Sequence, residues 1–513
     1  MSKLNPARDR TGVVAQPPVR SRSRLQLTRA QKVLAVFITA YVLTFFLLAM
    51  RCYDGFGNSS SETSAANNLM WWMIHGHPYR FSLWGDLNYL SAHVELFYLF
   101  LTPIYAVAPS VYTLMFCQSL ALGLTAVPVY LIVRRLWNNE VAGVLMGMAF
   151  TLVPSIASGN VNQVHPVPYV PVFLLSAYYY FLERRLRRFA LFAGLACLVR
   201  ENVSLGVCMF GVWAWAERRP WKWRLVPLLG GAAYFLFATK IIIPWGLQGR
   251  QWHLAKYFTY LGVTPAEIIH SALTHPGLVF AHLTEGENIQ YFVLLVQAFG
   301  WVLPFGHWAV LVGLPDLAGN LISDNGGMKV LAWHYQFMVC PALFMGAVFT
   351  TKRVLDWLHK RFGGDSAPVV AGGFLVLSLA HWILWFQPQQ FQPLPYHDTL
   401  EAALAIVPPD KSVLAPYRLQ GNVSSREHFD MINRFMELPE YAAQFEYVIL
   451  DANERQYPPP ITQEFFNSFS RNPNYRLLFG QNNVFVFQRL GGESDWKIRT
   501  PDLEPKPGAP IRH

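Results

Sequence analysis

Between Lys32 and Gln387 the chain alternates long apolar runs with short basic clusters, and no other feature constrains its folding as strongly. The clusters are Arg134-Arg135, Glu183–Arg188 (ERRLRR), Glu217–Arg224 (ERRPWKWR) and Lys352-Arg353. Apolar runs of this length lie in lipid, and basic clusters at their ends mark the cytoplasmic side. Only 14% of residues are charged and 53% are hydrophobic, against roughly 25% charged in soluble domains, so much of the surface faces something other than water. The net charge of +10 sits in these loop clusters, which argues against a nucleic-acid partner and for membrane lipids.

Counting sides from the clusters gives an all-α polytopic membrane domain over 33–386 with about 11 transmembrane helices. Residues 1–32 carry eight Lys/Arg against one acid and read as a disordered cytoplasmic tail, which puts the N-terminus inside. The first crossing is 33–50 and the next clean one 111–133. The apolar run 93–108 between them is broken by Pro103 and Pro109; parity makes it a helix on the outer surface. Further crossings are expected at 141–157, 168–182, 225–243, 335–350 and 368–386. Residues 189–216 have basic clusters at both ends and Arg200-Glu201-Asn202 in the middle, so they form a hairpin. Each arm is about 12 residues, or ~18 Å, and its apex is recessed in the membrane or a vestibule. A second hairpin, 291–303 and 305–322, turns at Pro304-Phe305-Gly306. Pro244–Gln290 is a long external loop.

The composition changes beyond Gln387. QPQQFQPLPYHD reads as a linker. Residues 387–492 form a small extracytoplasmic α/β domain, with YVILD (447–451) as a buried strand and a terminal hairpin turning at Gly480–Asn483. Residues 493–513 read as a disordered tail. The five cysteines, Cys52, Cys117, Cys197, Cys208 and Cys340, form no C-x-x-C pair and no disulfide framework.

Chemistry concentrates in the first external loop, Arg51–Pro109, which holds Asp54, Glu62, His75, His77, Asp86, His93 and Glu95. Asp54 or Glu62 is placed to act as general base on an acceptor hydroxyl. His93 and Glu95 are two apart, a spacing that a regular helix points to different sides. A divalent metal held by two carboxylates among Asp54, Glu62 and Glu95 is left open as a cofactor. Ionisable groups at membrane depth are costly and mark cavities or paths, so the Arg200-Glu201-Asn202 apex is read either as an anion site, with Arg200 holding a phosphate oxygen and Glu201 orienting it, or as an internal ion pair that fixes the hairpin. Asn162 and His165, in the loop NQVHP, and His334-Tyr335, at the outer start of a late run, are candidates for the same vestibule. For His165 and His334-Tyr335, simple interfacial anchoring is the competing reading.

In order along the chain these motifs resemble a bacterial predicted-membrane-protein family of unknown function grouped with the GT-C glycosyltransferases. The resemblance runs from the early acid through Trp72, Gly76, Pro78 and Tyr79, His93 with Pro103 and Tyr105, VYLIVRRLW, Asn162 with His165-Pro166, Arg200-Glu201-Asn202, and His334-Tyr335. It spans roughly residues 33–350. Such proteins often carry Phe-Asp-Leu-Gly about nine residues before the tryptophan. Here that place reads Ser61-Glu62-Thr63-Ser64, so a glutamate replaces the aspartate and the catalytic acid stays open between Glu62 and Asp54.

The resemblance implies a GT-C-like fold in the cell (inner) membrane with the C-terminus outside. It implies inverting transfer of a sugar from a polyprenyl-phosphate carrier to an envelope glycan, lipid or protein. Glu62 or Asp54 would be the base, and Arg200 with His334 or His165 would stabilise the departing lipid phosphate. His93, Glu95, Asn162, Glu201 and Tyr335 complete the expected binding set. The rival readings are a lipid or solute transporter and a non-catalytic membrane protein. The chain shows no inverted repeat of the kind many transporters carry.

Overall fold

A computed structural model describes residues 27–57, 61–83, 88–249, 257–432, 441–454 and 463–491. Most of the basic N-terminal tail, Asp86 and the C-terminal tail lie outside the described residues.

The chain opens with α1 (Arg29–Asp54), whose Thr28–Gln31 capping box satisfies the first backbone donors. The first loop contains α2 (Ser61–Ile74) and the short apolar α3 (Tyr98–Val107). Then come α4 (Val111–Leu124) and α5 (Ala126–Trp137), which form one span. Next is a pair bent by 48°, α6 (Glu140–Thr151) and α7 (Pro154–Asn162). Pro154 opens the second half of that pair, where its fixed φ and missing N–H start a new helix instead of continuing the old one. After α8 (Val170–Leu182), the hairpin is α9 (Leu186–Val199) and α10 (Val203–Ala216). Both arms have 14 residues, about 21 Å each, so the apex stops short of a full crossing. Next, α11 (Trp221–Phe237) packs on α10 through small residues; a Cβ on Gly211 would lie 2.5 Å from the Arg224 carbonyl oxygen.

Five helices among the described residues are long and apolar enough to cross a membrane, or six if the bent pair is one span. The other apolar helices are shorter. Apolar side chains on the outer faces, such as Val36 and Leu47 on α1, are solvent-bare without lipid. The chain is thus a multi-pass membrane protein of mainly helical structure.

One expected feature is corrected. Residues 291–322 are not a pair of regular crossing helices. After α12 (Gly286–Gln297), Gly300 and Trp301 take φ of 79° and 61°. Tight 3₁₀ turns follow at Leu303–Gly306 and Trp308–Gly313, before the nine-residue α13 (Leu314–Ile322). Gly300 and Trp301 leave the helical φ, and Pro304 and Pro315, each at the start of a new short helix, lack N–H donors. The expected external loop at 244–290 contains two short helices, Pro265–Thr274 and Pro276–Leu283. Two long helices complete the membrane part, α14 (Val339–Phe362) and α15 (Ala367–Trp385).

The C-terminal part has α16 (His397–Ile406), two shorter helices at Gln420–Val423 and Gln463–Ser470, and a five-stranded sheet. The strands are β1 (Val413–Ala415), β2 (Phe429–Met431), β3 (Tyr447–Asp451), β4 (Tyr475–Gln481) and β5 (Val484–Arg489), in order β2-β1-β3-β5-β4. β1 is parallel to β2 and β3, while β5 is antiparallel to β3 and β4. The hairpin turns on Asn482-Asn483, both at positive φ, as a two-residue primed turn requires. One face of this sheet has a core of its own, built on Leu414, Val448, Leu450, Phe469 and Phe487, whereas the other face shares its core with the first loop. Phe56, Ala65, Phe81 and Leu83 of the first loop are buried in the same cluster as Val413, Ala415, Ile449 and Val486.

Candidate functional site

The site is organised by α2. Its sequence, SETSAANNLMWWMI, is rich in residues with low helix propensity, so tertiary bonds must hold it. Thr63, Ser64, Asn67 and Asn68 are all fully buried. Thr63 Oγ1 accepts from the Val164 N–H at 3.1 Å. Ser64 Oγ donates to Gln420 Oε1 at 2.8 Å. Asn67 Nδ2 donates to the Ser424 and Ser425 hydroxyls, and Tyr105 OH donates to Asn67 Oδ1. Asn68 Nδ2 donates to the Ser424 and Arg426 carbonyls. The unusual serines and asparagines therefore latch α2 between the loop before His165 and the C-terminal sheet. Glu62 is in the first turn, where a carboxylate suits the helix dipole.

Around Glu62 the fold gathers ionisable groups from four separate stretches. His165 Nε2 lies 3.6 Å from Glu62 Oε2 and 3.9 Å from Glu95 Oε1. Arg200 Nε lies 3.9 Å from Glu95 Oε1. His93 Nδ1 is 2.9 Å from Glu201 Oε1, and Glu201 Oε2 accepts from the Val94 N–H at 2.8 Å. The imidazole of His93 then carries its proton on Nδ1 and accepts at Nε2 from the Arg200 guanidinium. His165 and His334 stack at 4.1 Å and 6°, and Tyr335 lies against His334. His334 Nδ1 pairs with Gln163 Oε1 at 2.9 Å.

The hydrogen bonds assign protons. His165 Nδ1 accepts from the Val167 N–H at 3.1 Å, so its proton is on Nε2, facing both glutamates. Burial, with His334, Arg200 and His93 nearby, holds this imidazole well below its usual pKa, so it stays neutral. Burial also raises the Glu62 carboxyl, with Arg200 opposing. That moves it toward the range where a carboxylate works as a general base. Glu62 keeps a third of its side chain exposed, whereas Glu95 has none.

Several buried atoms in this region have no hydrogen-bond partner: Glu95 Oε1 and Arg200 Nη1, and also Asn202 Oδ1 at the apex and Tyr98 OH. Buried polar groups are nearly always paired, so these unpaired atoms set this region apart from a saturated interior. Separately, and with no charged residue of this set among them, Met73, Ile74, Pro78, Leu99, Thr102, Pro103 and Ala106 line an open, mainly apolar groove of about 400 Å³ between α2 and α3.

The structure thus brings together Glu62, His93, Glu95, His165, Arg200, Glu201, His334 and Tyr335. It leaves Asp54 apart: exposed at the end of α1, it accepts from Tyr112 OH at 2.6 Å. Asn162 makes no side-chain hydrogen bond among the described residues; its neighbour Gln163 reaches His334 instead. Glu62, Glu95 and His165 do not bring three ligand atoms together as a metal site would. Among the described residues only the largely exposed His397, Asp398 and Glu401 do so, within 4.8 Å.

Four residues were not singled out from the sequence. Gln118 accepts from the His165 N–H and donates to the Gln163 carbonyl. Tyr89 donates to Glu95 Oε2 at 2.6 Å. Asp316 accepts from Asn202 Nδ2 at 2.6 Å. Gln420 holds α2. For Gln118 and Asp316 the available signal was a polar residue inside an apolar run.

Comparison with curated proteins finds no match. Among solved structures, ArnT from Cupriavidus metallidurans bound to undecaprenyl phosphate aligns with TM-score 0.48 and 11% identity, over 89% of this chain and 100% of that one. The apo state of ArnT gives 0.49 at 11% identity, over 89% and 99%. The Archaeoglobus fulgidus oligosaccharyltransferase in complex with Zn and sulfate gives 0.40 at 13%, over 88% and 73%. A family model does match, over residues 64–486, from α2 to β5, and the chain belongs to that family, described as Predicted membrane protein (DUF2079).

Proposed function

We propose that the protein transfers a sugar from a polyprenyl-phosphate carrier to an envelope acceptor at the outer face of the cell membrane. The observation that carries this reading is Arg200: a guanidinium buried at the hairpin apex, with Nη1 unpartnered, beside the partly open Glu62. A buried cation with a free donor suits a phosphate, and a half-open carboxylate beside it suits a base on an incoming hydroxyl.

In this reading the donor is a phosphodiester whose charge is held by Arg200. Glu62 takes the acceptor proton as the acceptor oxygen attacks the anomeric carbon from the face opposite the phosphate. The phosphate departs with the electron pair, so stabilising its charge does most of the work. The neutral His165 and His334 stack closes one wall. The apolar groove between α2 and α3 gives the carrier's first isoprene units a place out of water. In this reading the C-terminal part, bonded to α2 through residues 420–426, lies on the acceptor side outside the cytoplasm.

The test is mass spectrometry of envelope glycans in a deletion strain, complemented with the wild-type chain or with Glu62→Gln. A missing glycan substituent, restored only by the wild type, is the expected result. An unchanged profile in the deletion strain would sink the reading. A reporter fused after Gln387 tests the topology and must be active outside the cytoplasm.

A further inference from the structure

Glu95 is fully buried, yet its two oxygens are treated differently. Oε2 takes the Tyr89 hydroxyl at 2.6 Å, while Oε1 has no partner. The nearest cation, Arg200, stands 3.9 Å away without a hydrogen bond and keeps Nη1 unpartnered as well. A buried carboxylate and a buried guanidinium would normally close on each other, because leaving either uncompensated is costly. Here they stand apart, with Nε and Oε1 3.9 Å from each other. Charged and titratable groups face Glu95 from every packed element: Arg200 and Glu201 from the hairpin apex, His165 from the loop after α7, Glu62 from α2, Tyr79 from the loop after α2, and Tyr89 and Tyr98 from its own segment.

This inference rests on the sugar-transfer reading. An anion bound beside them accepts from Arg200 without difficulty. It can also touch Glu95 Oε1 only if that oxygen carries a proton, since two negative charges this close do not coexist. We propose that Glu95 is a second catalytic residue, a neutral acid whose Oε1–H donates to the phosphate diester held by Arg200 and passes its proton to the departing phosphate. Burial is the largest influence on Glu95 and pushes its carboxyl up to about 8; Arg200 and the Tyr89 hydroxyl oppose this, and Glu201 and Glu62 reinforce it.

The step balances. The anomeric carbon–oxygen bond breaks with its electron pair on the phosphate. The acceptor oxygen forms the new bond and yields its proton to Glu62. The Glu95 proton moves to the phosphate, giving a monoanionic polyprenyl phosphate. Glu95 is left a carboxylate beside that monoanion, which favours product release by repulsion.

The test uses the full chain in detergent and a geranylgeranyl methyl phosphate probe, a diester whose own charge does not change near neutral pH. Affinity is read from tryptophan fluorescence. Only the protonated fraction binds, so the wild type weakens roughly tenfold between about pH 6 and about pH 9. Glu95→Gln keeps a donor at every pH, so it holds the low-pH affinity throughout. A wild type with flat affinity, or a Glu95→Gln variant that keeps the wild-type slope, would overturn the proposal. Should Glu95→Gln fail to fold, the wild-type profile alone decides, since a flat one overturns it. Arg200→Ala separates the two levels: undiminished binding in that variant overturns the sugar-transfer reading itself, not the role of Glu95 alone.

Discussion

Two arginines of the helical hairpin are buried to nearly the same degree, Arg200 at 6% exposure and Arg219 at 8%. Their surroundings differ completely. Arg219, at the basic end of α10, has Nε on Glu217 Oε2 at 2.7 Å, Nη1 on the Phe181 carbonyl at 2.7 Å, and its guanidinium 3.8 Å from the Phe181 ring centroid. Arg200, at the apex, leaves Nη1 empty and stands off from its nearest carboxylate partner, Glu95. Burial alone therefore does not separate a structural charge from a working one. What separates them is Nη1: that of Arg219 is on a carbonyl, whereas that of Arg200 is buried and unpaired although the same guanidinium also bonds His93. A saturated arginine stabilises the fold, and an unsaturated one is set for a ligand.

The largest effects should come from the unsaturated side. Arg200→Ala is expected to lower transfer about 10²–10³-fold, by analogy with losing a charge-stabilising donor, while the melting temperature changes little. Glu62→Gln should cost about 10²–10⁴-fold in rate with donor-probe binding retained, as removing a base does. Arg219→Ala should do the reverse. It strips the partner from Glu217 and costs about 3–5 kcal/mol of stability, read by denaturant unfolding in detergent, with probe affinity kept in the folded fraction. If Arg219→Ala abolished binding and Arg200→Ala only lowered stability, the comparison would collapse.

The helical membrane part and the small α/β part were legible in the sequence for a physical reason: apolar runs, basic ends and an alternating terminal hairpin are local signals. The hairpin apex was legible too, because Arg200-Glu201-Asn202 interrupts an apolar stretch. Residues 291–322 misled because their composition is apolar enough for spans, while Gly300, Trp301 and Pro304 act on the backbone in ways that hydropathy does not register. The latch of α2 was invisible. Ser64 and Gln420 are 356 residues apart, and nothing local in SETSAANN says that its polar face meets a distant sheet. The choice between Asp54 and Glu62 failed for the same reason, since both are early acids in one loop and only the fold decides which one meets His165.

The latch supplies the next smaller effect. Asn68→Ala removes bonds to the Ser424 and Arg426 carbonyls and leaves the Ser82 N–H without its acceptor. A cost of about 1–3 kcal/mol is expected for groups left unsatisfied in the interior. Hydrogen exchange should localise that loss to α2 and the 420–427 segment together, because the two share these bonds. Loosening confined to the sheet would mean that α2 stands without it.

The smallest effect should come from Asp54→Asn. Asp54 is exposed and bonded to Tyr112 through one oxygen, and an asparagine carbonyl can accept that same bond. Its backbone carbonyl, which pairs with His397, is untouched by the substitution. The rate should therefore stay within about twofold of wild type and the stability within about 0.5 kcal/mol, as for surface changes generally. A large loss of transfer in Asp54→Asn, with activity surviving Glu62→Gln, would move the base from α2 to the end of α1. The unsaturated pocket around Arg200 would then need another reason to sit beside Glu62.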